Sequence, residues 1–164
     1  IGVIKILNKI GWDIKTSSIK KGITTATWPG RLEIVKWKNK QILIDSAHNP
    51  LAAKVLSKER EGWPNQEKGV CWILGVQINK DFPSITRELF KPQDKLLLVP
   101  VPNHKSWTLE LISKNICLDE RNINEFESFD LALQYLEKLN EWPTCNPVLA
   151  GSIFLVSEFI KSLN

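Results

Sequence analysis

Beyond residue 50 the chain alternates between short runs of consecutive apolar residues and longer amphipathic stretches, and few folds accept that alternation. Val70–Leu74 reads as a buried strand. Lys95–Val101 reads as another, and its four consecutive apolar residues suit a strand covered on both faces. Between and after these runs the spacing predicts helices. One spans Leu51–Glu59 with Ala52, Val55 and Leu56 inward, one spans Asp81–Phe90 with Asp81 as its cap, and one spans Ser106–Lys114. A short strand is expected near Ile116 or Ile123, followed by a helix capped by Ser128 that carries Ala132, Leu133, Leu136 and Leu139 on one face. Val148–Ala150 is a last strand, kept short by Pro147. Gly151 and Ser152 then open a helix presenting Ile153, Val156, Ile160 and Leu163. This pattern predicts an α/β fold: a Rossmann-like three-layer domain whose mainly parallel sheet is joined by right-handed crossovers.

The stretch Trp28–Pro50 supplies the start of that sheet. A Trp-Pro-Gly-Arg turn ends in Arg31, Leu32–Trp37 reads as a strand, Asn39-Lys40 as a turn, and Gln41–Asp45 as a second strand. The pair predicts an antiparallel hairpin at the sheet edge. In Asp45-Ser46-Ala47-His48-Asn49-Pro50 the strand gives way to a helix. Asn49 suits the N-cap, and Pro50 the first helical position, where its missing N–H would be unpaired anyway. A helix N-terminus at the carboxyl end of a strand is where open α/β sheets hold anionic ligands. Arg31, Asp45 and His48 are polar groups able to converge there.

Residues 1–12 read as an amphipathic helix with Val3, Ile4, Leu7 and Ile10 on one face and Gly11 near its stop. A shorter helix is expected around Ser17–Lys21, ended by Gly22. Two helices cannot bury such faces alone, so 1–26 is expected to be the tail of a preceding domain plus a linker, with the α/β domain over 27–164. The segment Thr24–Thr27 has no regular pattern, and a pivot is expected between Gly22 and Gly30. The 164 residues include no methionine, so the chain is expected to be a piece of a longer protein.

Composition narrows the function classes. A hydrophobic fraction of 43% and a charged fraction of 24% suit a globular domain with a core. No apolar run approaches the roughly 20 residues of a membrane span, so no membrane partner is expected. The net charge of +4 comes with dispersed lysines, which argues for a solvated surface rather than nucleic-acid binding and would also favour small anions. Cys71, Cys117 and Cys145 stand in no metal or redox spacing and read as reduced thiols of a cytoplasmic protein.

Three motifs in order carry a resemblance. Trp28-Pro29-Gly30-Arg31 followed by Asp45-Ser46-Ala47-His48-Asn49-Pro50 is similar to the W/F-P-G-R turn and D-G-A-H-N-P of the folylpolyglutamate synthase / dihydrofolate synthase C-terminal domain, within the Mur ligase superfamily. Ser46 stands for the usual glycine. Gly75-Val76-Gln77-Ile78-Asn79-Lys80-Asp81 resembles G-x-x-x-D-K-D, with Asn79 for the acidic residue, and Ala150–Val156 resembles T-G-S-L-Y-L-V. The resemblance implies a fragment of an enzyme that adds L-glutamate to folate or dihydropteroate, using ATP and Mg2+ through an acyl phosphate. A central ATPase domain would precede the Trp-Pro-Gly-Arg turn and supply the phosphate loop, the magnesium site and most folate contacts. No GxxxxGK[ST] loop and no magnesium-binding carboxylate set is evident in this sequence, so no metal ligand is assigned. The chain alone is expected to be inactive, and the parent enzyme monomeric.

Each candidate residue has an ordinary reading beside the functional one. Arg31 is either a surface arginine or a guanidinium placed by a stiff turn against phosphate oxygens; the resemblance implies the latter, with a catalytic part. Asp45 is either a capping or loop aspartate or a ribose acceptor, and the resemblance implies nucleotide contact, shared with Ser46 and Asn49. His48 is either a solvated loop histidine or a donor to phosphate, and the resemblance implies a catalytic position at the ATP and amino-acid site. Lys80 and Ser152 follow strands on the same side. Lys80 suits a substrate carboxylate or a phosphate and Ser152 a substrate carboxylate, although solvation accounts for Lys80 and capping for Ser152 as well. His104 lies where the family varies and receives no role. Two alternatives remain: a non-catalytic nucleotide-binding α/β module, and a Mur-type ligase domain acting on peptidoglycan precursors.

Overall fold

A computed structural model describes residues 2–112 and 119–163. Its centre is a six-stranded sheet in the order β1-β2-β6-β3-β4-β5. β1 (Glu33–Trp37) and β2 (Lys40–Ile44) form the expected antiparallel edge hairpin. β6 (Val148–Ala150) lies parallel between β2 and β3 (Cys71–Leu74), and β4 (Lys95–Leu98) and β5 (Ile123–Glu125) continue the parallel array. The short strand therefore falls at Ile123, while Ile116 lies outside the described residues.

Helices cover both faces. The chain crosses the sheet in one direction from β2 to β5, and right-handed crossovers put the intervening helices on one face. These are α3 (Pro50–Arg60), α4 (Phe82–Leu89) and α5 (Leu109–Ile112). Ala53, Leu56, Phe82, Ile85, Leu89 and Ile112 pack there on Leu43, Trp72, Leu74, Leu96 and Val148. The direction reverses after β5, and α6 (Phe129–Glu137) and α7 (Ile153–Ser162) lie on the other face. Phe129, Leu133, Leu155 and Phe159 meet Ile42, Ile44, Ile73, Leu97 and Leu149 on that side. The Lys95–Leu98 run faces both layers alternately, which is why it reads as continuously apolar.

Several details depart from the periodicity. Val55 is exposed and α3 instead buries Ala53, Leu56 and Arg60. The cause is Arg60, whose guanidinium makes a two-pronged ion pair with Asp94, at 2.5 Å and 2.6 Å, with both side chains fully buried. Asp94 also accepts the Val70 and Lys91 amides and the Trp72 indole N–H. A buried charge of this kind fixes the rotation of the helix as a small hydrophobe would not. Ile153 is likewise exposed; Leu155, Val156 and Phe159 form the buried stripe of α7. The third predicted helix begins at Leu109, because Ser106 bridges to Gln77 and the Trp107 amide bonds the Val76 carbonyl. Lys114 lies outside the described residues.

Ahead of the sheet, α1 (Gly2–Lys9) stops before Gly11 as expected, and α2 covers Thr16–Thr25. Gly22 does not end α2. A helical glycine costs only about 1 kcal/mol, and the turn continues through the Ala26 amide on the Gly22 carbonyl and the Thr24 and Thr25 hydroxyls on preceding carbonyls. Neither helix buries a residue, and Val3, Ile6, Ile10, Trp12 and Ile23 stay exposed.

Candidate functional site

The carboxyl ends of the parallel strands gather the candidate residues on one edge. Asp45 directly follows β2; it is buried and spends its carboxylate locally. Oδ1 accepts the Ala47 amide at 2.7 Å and Oδ2 accepts the Leu32 amide at 3.0 Å. Ser46, also buried, donates its amide (2.9 Å) and its hydroxyl (3.2 Å) to the Gly30 carbonyl. Glu33 accepts the Gly30 amide at 2.8 Å. The Trp-Pro-Gly-Arg turn is thus fastened to the end of β2 by polar bonds on both sides of Arg31.

The turn needs that fastening. Gly30 has φ +72°, and Leu32 has φ +45°, a left-handed conformation that costs a leucine about 1–2 kcal/mol. A hydrogen bond to a carboxylate contributes about 1.5–3 kcal/mol, so the Asp45–Leu32 bond is of the size needed to hold it. Gly30 is buried on α7, where an added Cβ would come 2.5 Å from Val156 Cγ1. Arg31 itself is exposed, and among the described residues its guanidinium has no hydrogen bond or ion pair.

Arg31, Asp45 and Asn49 line one open cleft of about 400 Å3, with Leu32, Leu51, Ala52 and Val55 as its apolar wall. The exposed Leu51 and Val55 of α3 therefore face this cleft rather than the core. Asn49 caps α3 as expected, accepting the Ala52 amide at 2.9 Å with Pro50 in the first turn. His48, half-buried, bonds through Nδ1 to the Ser46 carbonyl at 2.8 Å. A carbonyl only accepts, so Nδ1 carries the proton and Nε2 is left for a ligand.

Lys80 and Ser152 lie on the segments that follow β3 and β6 and do not line this cleft. Ser152 is buried and caps α7, accepting the Phe154 amide at 3.2 Å. The Lys80 carbonyl accepts the Trp107 indole N–H; the residue is half-buried, and its ammonium has no partner among the described residues. Gly151, at φ +100°, lets the end of β6 approach β3: a Cβ there would lie 2.5 Å from the Gly75 carbonyl oxygen. Both glycine-bearing motifs are therefore close-packing devices as well as loop starts.

Among the described residues no three His, Cys, Asp or Glu side chains converge as metal ligands would, and both Asp45 oxygens already accept amides. These residues do not by themselves fit a magnesium ion. No helix among the described residues is long and apolar enough to cross a membrane.

A doubly covered, mainly parallel sheet with a fastened arginine turn at its carboxyl edge defines an α/β domain of the doubly wound kind. More particularly, a family model described as the dihydrofolate synthetase C-terminal domain matches residues 31–162, and the chain belongs to that family. It is 25% identical over 160 residues to the probable dihydrofolate synthetase of Schizosaccharomyces pombe, covering 93% of this chain and 38% of that protein. It is 26% identical over 110 residues to the dihydrofolate synthase/folylpolyglutamate synthase of Escherichia coli, covering 67% and 26%. The fold matches that of the bifunctional folylpolyglutamate synthase/dihydrofolate synthase of Yersinia pestis, with a TM-score of 0.75 at 18% identity over 98% of this chain and 37% of that one. It also matches the Mycobacterium tuberculosis folylpolyglutamate synthase complexed with ADP and AMPPCP, with a TM-score of 0.75 at 18% identity over 97% and 37%. The chain thus spans between 26% and 38% of the length of these relatives.

Proposed function

We propose that this chain is the C-terminal domain of an ATP-dependent ligase that joins L-glutamate to the carboxylate of folate or dihydropteroate. The observation that carries this reading, beside the family, is the fastened turn: it holds an unpaired guanidinium at the mouth of a cleft that also contains a capped helix N-terminus. Residues 1–26, whose apolar faces find no cover here, would lie against a preceding ATPase domain, with 27–164 as the closing domain. That other domain would bind the magnesium ion and most of ATP and folate.

In the reaction, the substrate carboxylate attacks the γ-phosphorus of ATP, giving an acyl phosphate and ADP. The glutamate amine then attacks the acyl carbon, the C–O bond to phosphate breaks, and inorganic phosphate leaves. Arg31 offsets negative charge on the phosphoryl group in transfer, where a preorganised cation acts most strongly. His48, when it carries a proton on both ring nitrogens, donates its Nε2–H to the phosphates while Nδ1–H stays on the Ser46 carbonyl. Asp45 keeps one lone pair on each oxygen for a ribose hydroxyl, while Asn49 lines the nucleotide end of the cleft and Ser46 holds the Gly30 carbonyl behind Arg31. Lys80 and the Ser152 end of α7 receive substrate carboxylates.

The test is direct. Full-length enzyme is incubated with ATP, magnesium, glutamate and either dihydropteroate or a reduced folate, and products are read by mass spectrometry. One added glutamyl residue per ADP is expected; ADP release without a glutamylated product from either acceptor would reject the reading. The chain alone is expected to give neither product.

A further inference from the structure

The chain has two histidines, and the structure treats them alike. His104 Nδ1 lies 2.7 Å from the Pro102 carbonyl, as His48 Nδ1 lies on the Ser46 carbonyl, each two residues back. In both, Nδ1 carries the proton and Nε2 is presented outward. Both follow parallel strands at the same edge of the sheet, yet the nucleotide reading uses only His48.

The loop carrying His104 is held from several sides. Its amide bonds the Val101 carbonyl, and Ser106 Oγ accepts the Val101 amide at 2.7 Å and donates to the His104 carbonyl at 3.1 Å. Asn103 is left-handed at φ +60°. The Lys105 carbonyl takes the Ile78 amide, and Trp107 bonds Val76 and Lys80, so this loop is stitched to the one bearing Lys80. The imidazole stacks on Phe154 with ring centroids 4.2 Å apart, and the Phe154 amide rests on Ser152 Oγ. The loop of His104 is therefore bonded to the loop after β3 through Lys105 and Trp107, and its ring rests on the first turn of α7. Below the ring lies an open cleft of about 450 Å3 walled by Trp107, Phe126, Glu125 and Glu127.

We propose that His104 is a catalytic residue of the amino-acid subsite, its Nε2 taking the proton that the acceptor's ammonium must lose, with Glu125 and Glu127 holding that ammonium in the cleft. The proposal rests on the ligase reading above. The cleft's two carboxylates select a cationic group, while Lys80 and Ser152 on the adjoining loops suit the carboxylates of the same amino acid. The N–H bond breaks toward Nε2 and frees the nitrogen lone pair. That pair forms the C–N bond as the acyl C–O bond breaks and phosphate departs, and the imidazolium passes its proton to solvent. The charged groups around the ring are Lys105 beside it, Lys80 on the stitched loop, and Glu125 and Glu127 across the cleft; the first turn of α7 carries no acidic side chain.

The test uses the full-length enzyme with His104→Gln and His104→Phe; the phenylalanine keeps a ring on Phe154 and lacks the base. Acyl phosphate formation is followed by hydroxylamine trapping without amino acid, and ligation by kcat/KM for glutamate across pH. We expect trapping at the wild-type rate, kcat/KM for glutamate lower by about 100-fold or more, and a changed pH profile for ligation in both variants. Wild-type kcat/KM with an unchanged pH profile would overturn the proposal. Equal loss of trapping and ligation in both variants would also overturn it, by reducing His104 to a structural part. Wild-type enzyme that formed no acyl phosphate would instead count against the ligase reading itself.

Discussion

The Asp45 carboxylate accepts the Leu32 amide at 3.0 Å, so the residue that follows β2 positions the backbone beside Arg31. Asp45→Ala should therefore lower kcat and raise KM for ATP together, because it removes both the proposed nucleotide contact and the anchor of the arginine turn. Asp45→Asn, which keeps one acceptor oxygen, should lie between. Steady-state kinetics showing a change in KM alone for the alanine variant would mean that the turn stands without its anchor.

Gly30 is a packing point rather than a free pivot. A side chain there meets Val156 at 2.5 Å on a backbone with φ +72°. Gly30→Ala should cost about 1–2 kcal/mol for the conformation and a further 1–3 for the clash, about as other overpacked sites do. Denaturant midpoints should show that Val156→Ala restores part of the loss. If the double variant were no more stable than Gly30→Ala, the clash term would be absent. Any pivot then belongs at Ala26–Trp28, between α2 and the turn.

At the opposite end of the sheet, Asp94→Ala leaves the buried Arg60 guanidinium without its partner. Removing one member of such a pair costs about 3–5 kcal/mol. Urea unfolding reads this directly, and a loss below about 1 kcal/mol would show that Arg60 escapes to water.

Burial pushes the Cys71 thiol up to about 12, with nearby Lys95 opposing and Asp94 assisting. The unfolded thiol ionises near 8.5, so the unfolded state sheds this proton first. Stability from this group is full below that value and is lost as pH rises toward 12. The native protein should resist iodoacetamide at Cys71 at pH 8.5, and its urea midpoint should fall more between pH 8 and pH 10 than that of Cys71→Ala. Equal falls would locate the alkaline sensitivity elsewhere.

The fold was legible because its signals are local. Continuous apolar runs, the Asn49, Ser128 and Ser152 caps, and Asp81, which accepts the Ser84 amide, each declare an element without reference to the rest. What escaped depends on distant partners. The rotation of α3 follows from Asp94, which lies 34 positions after Arg60, and the late start of α5 follows from the pairing of Ser106 with Gln77. The nucleotide candidates were legible as a motif, but Asp45 and Ser46 as clamps on Gly30 and Leu32 were not, since no local pattern says where a side chain closes a loop. His104 likewise carries no local signal: what marks it is a stack on Phe154, 50 residues away.

The measurement closest to the central claim is the turnover of the full-length enzyme with Arg31→Ala. A guanidinium that acts on charge in the transition state predicts kcat lower by about 100-fold or more, with KM for ATP changed only a few-fold. Arg31→Lys should recover little, because a point charge cannot reproduce the bidentate fork. An alanine variant with wild-type kcat would contradict the account and leave the fastened turn as a structural feature alone.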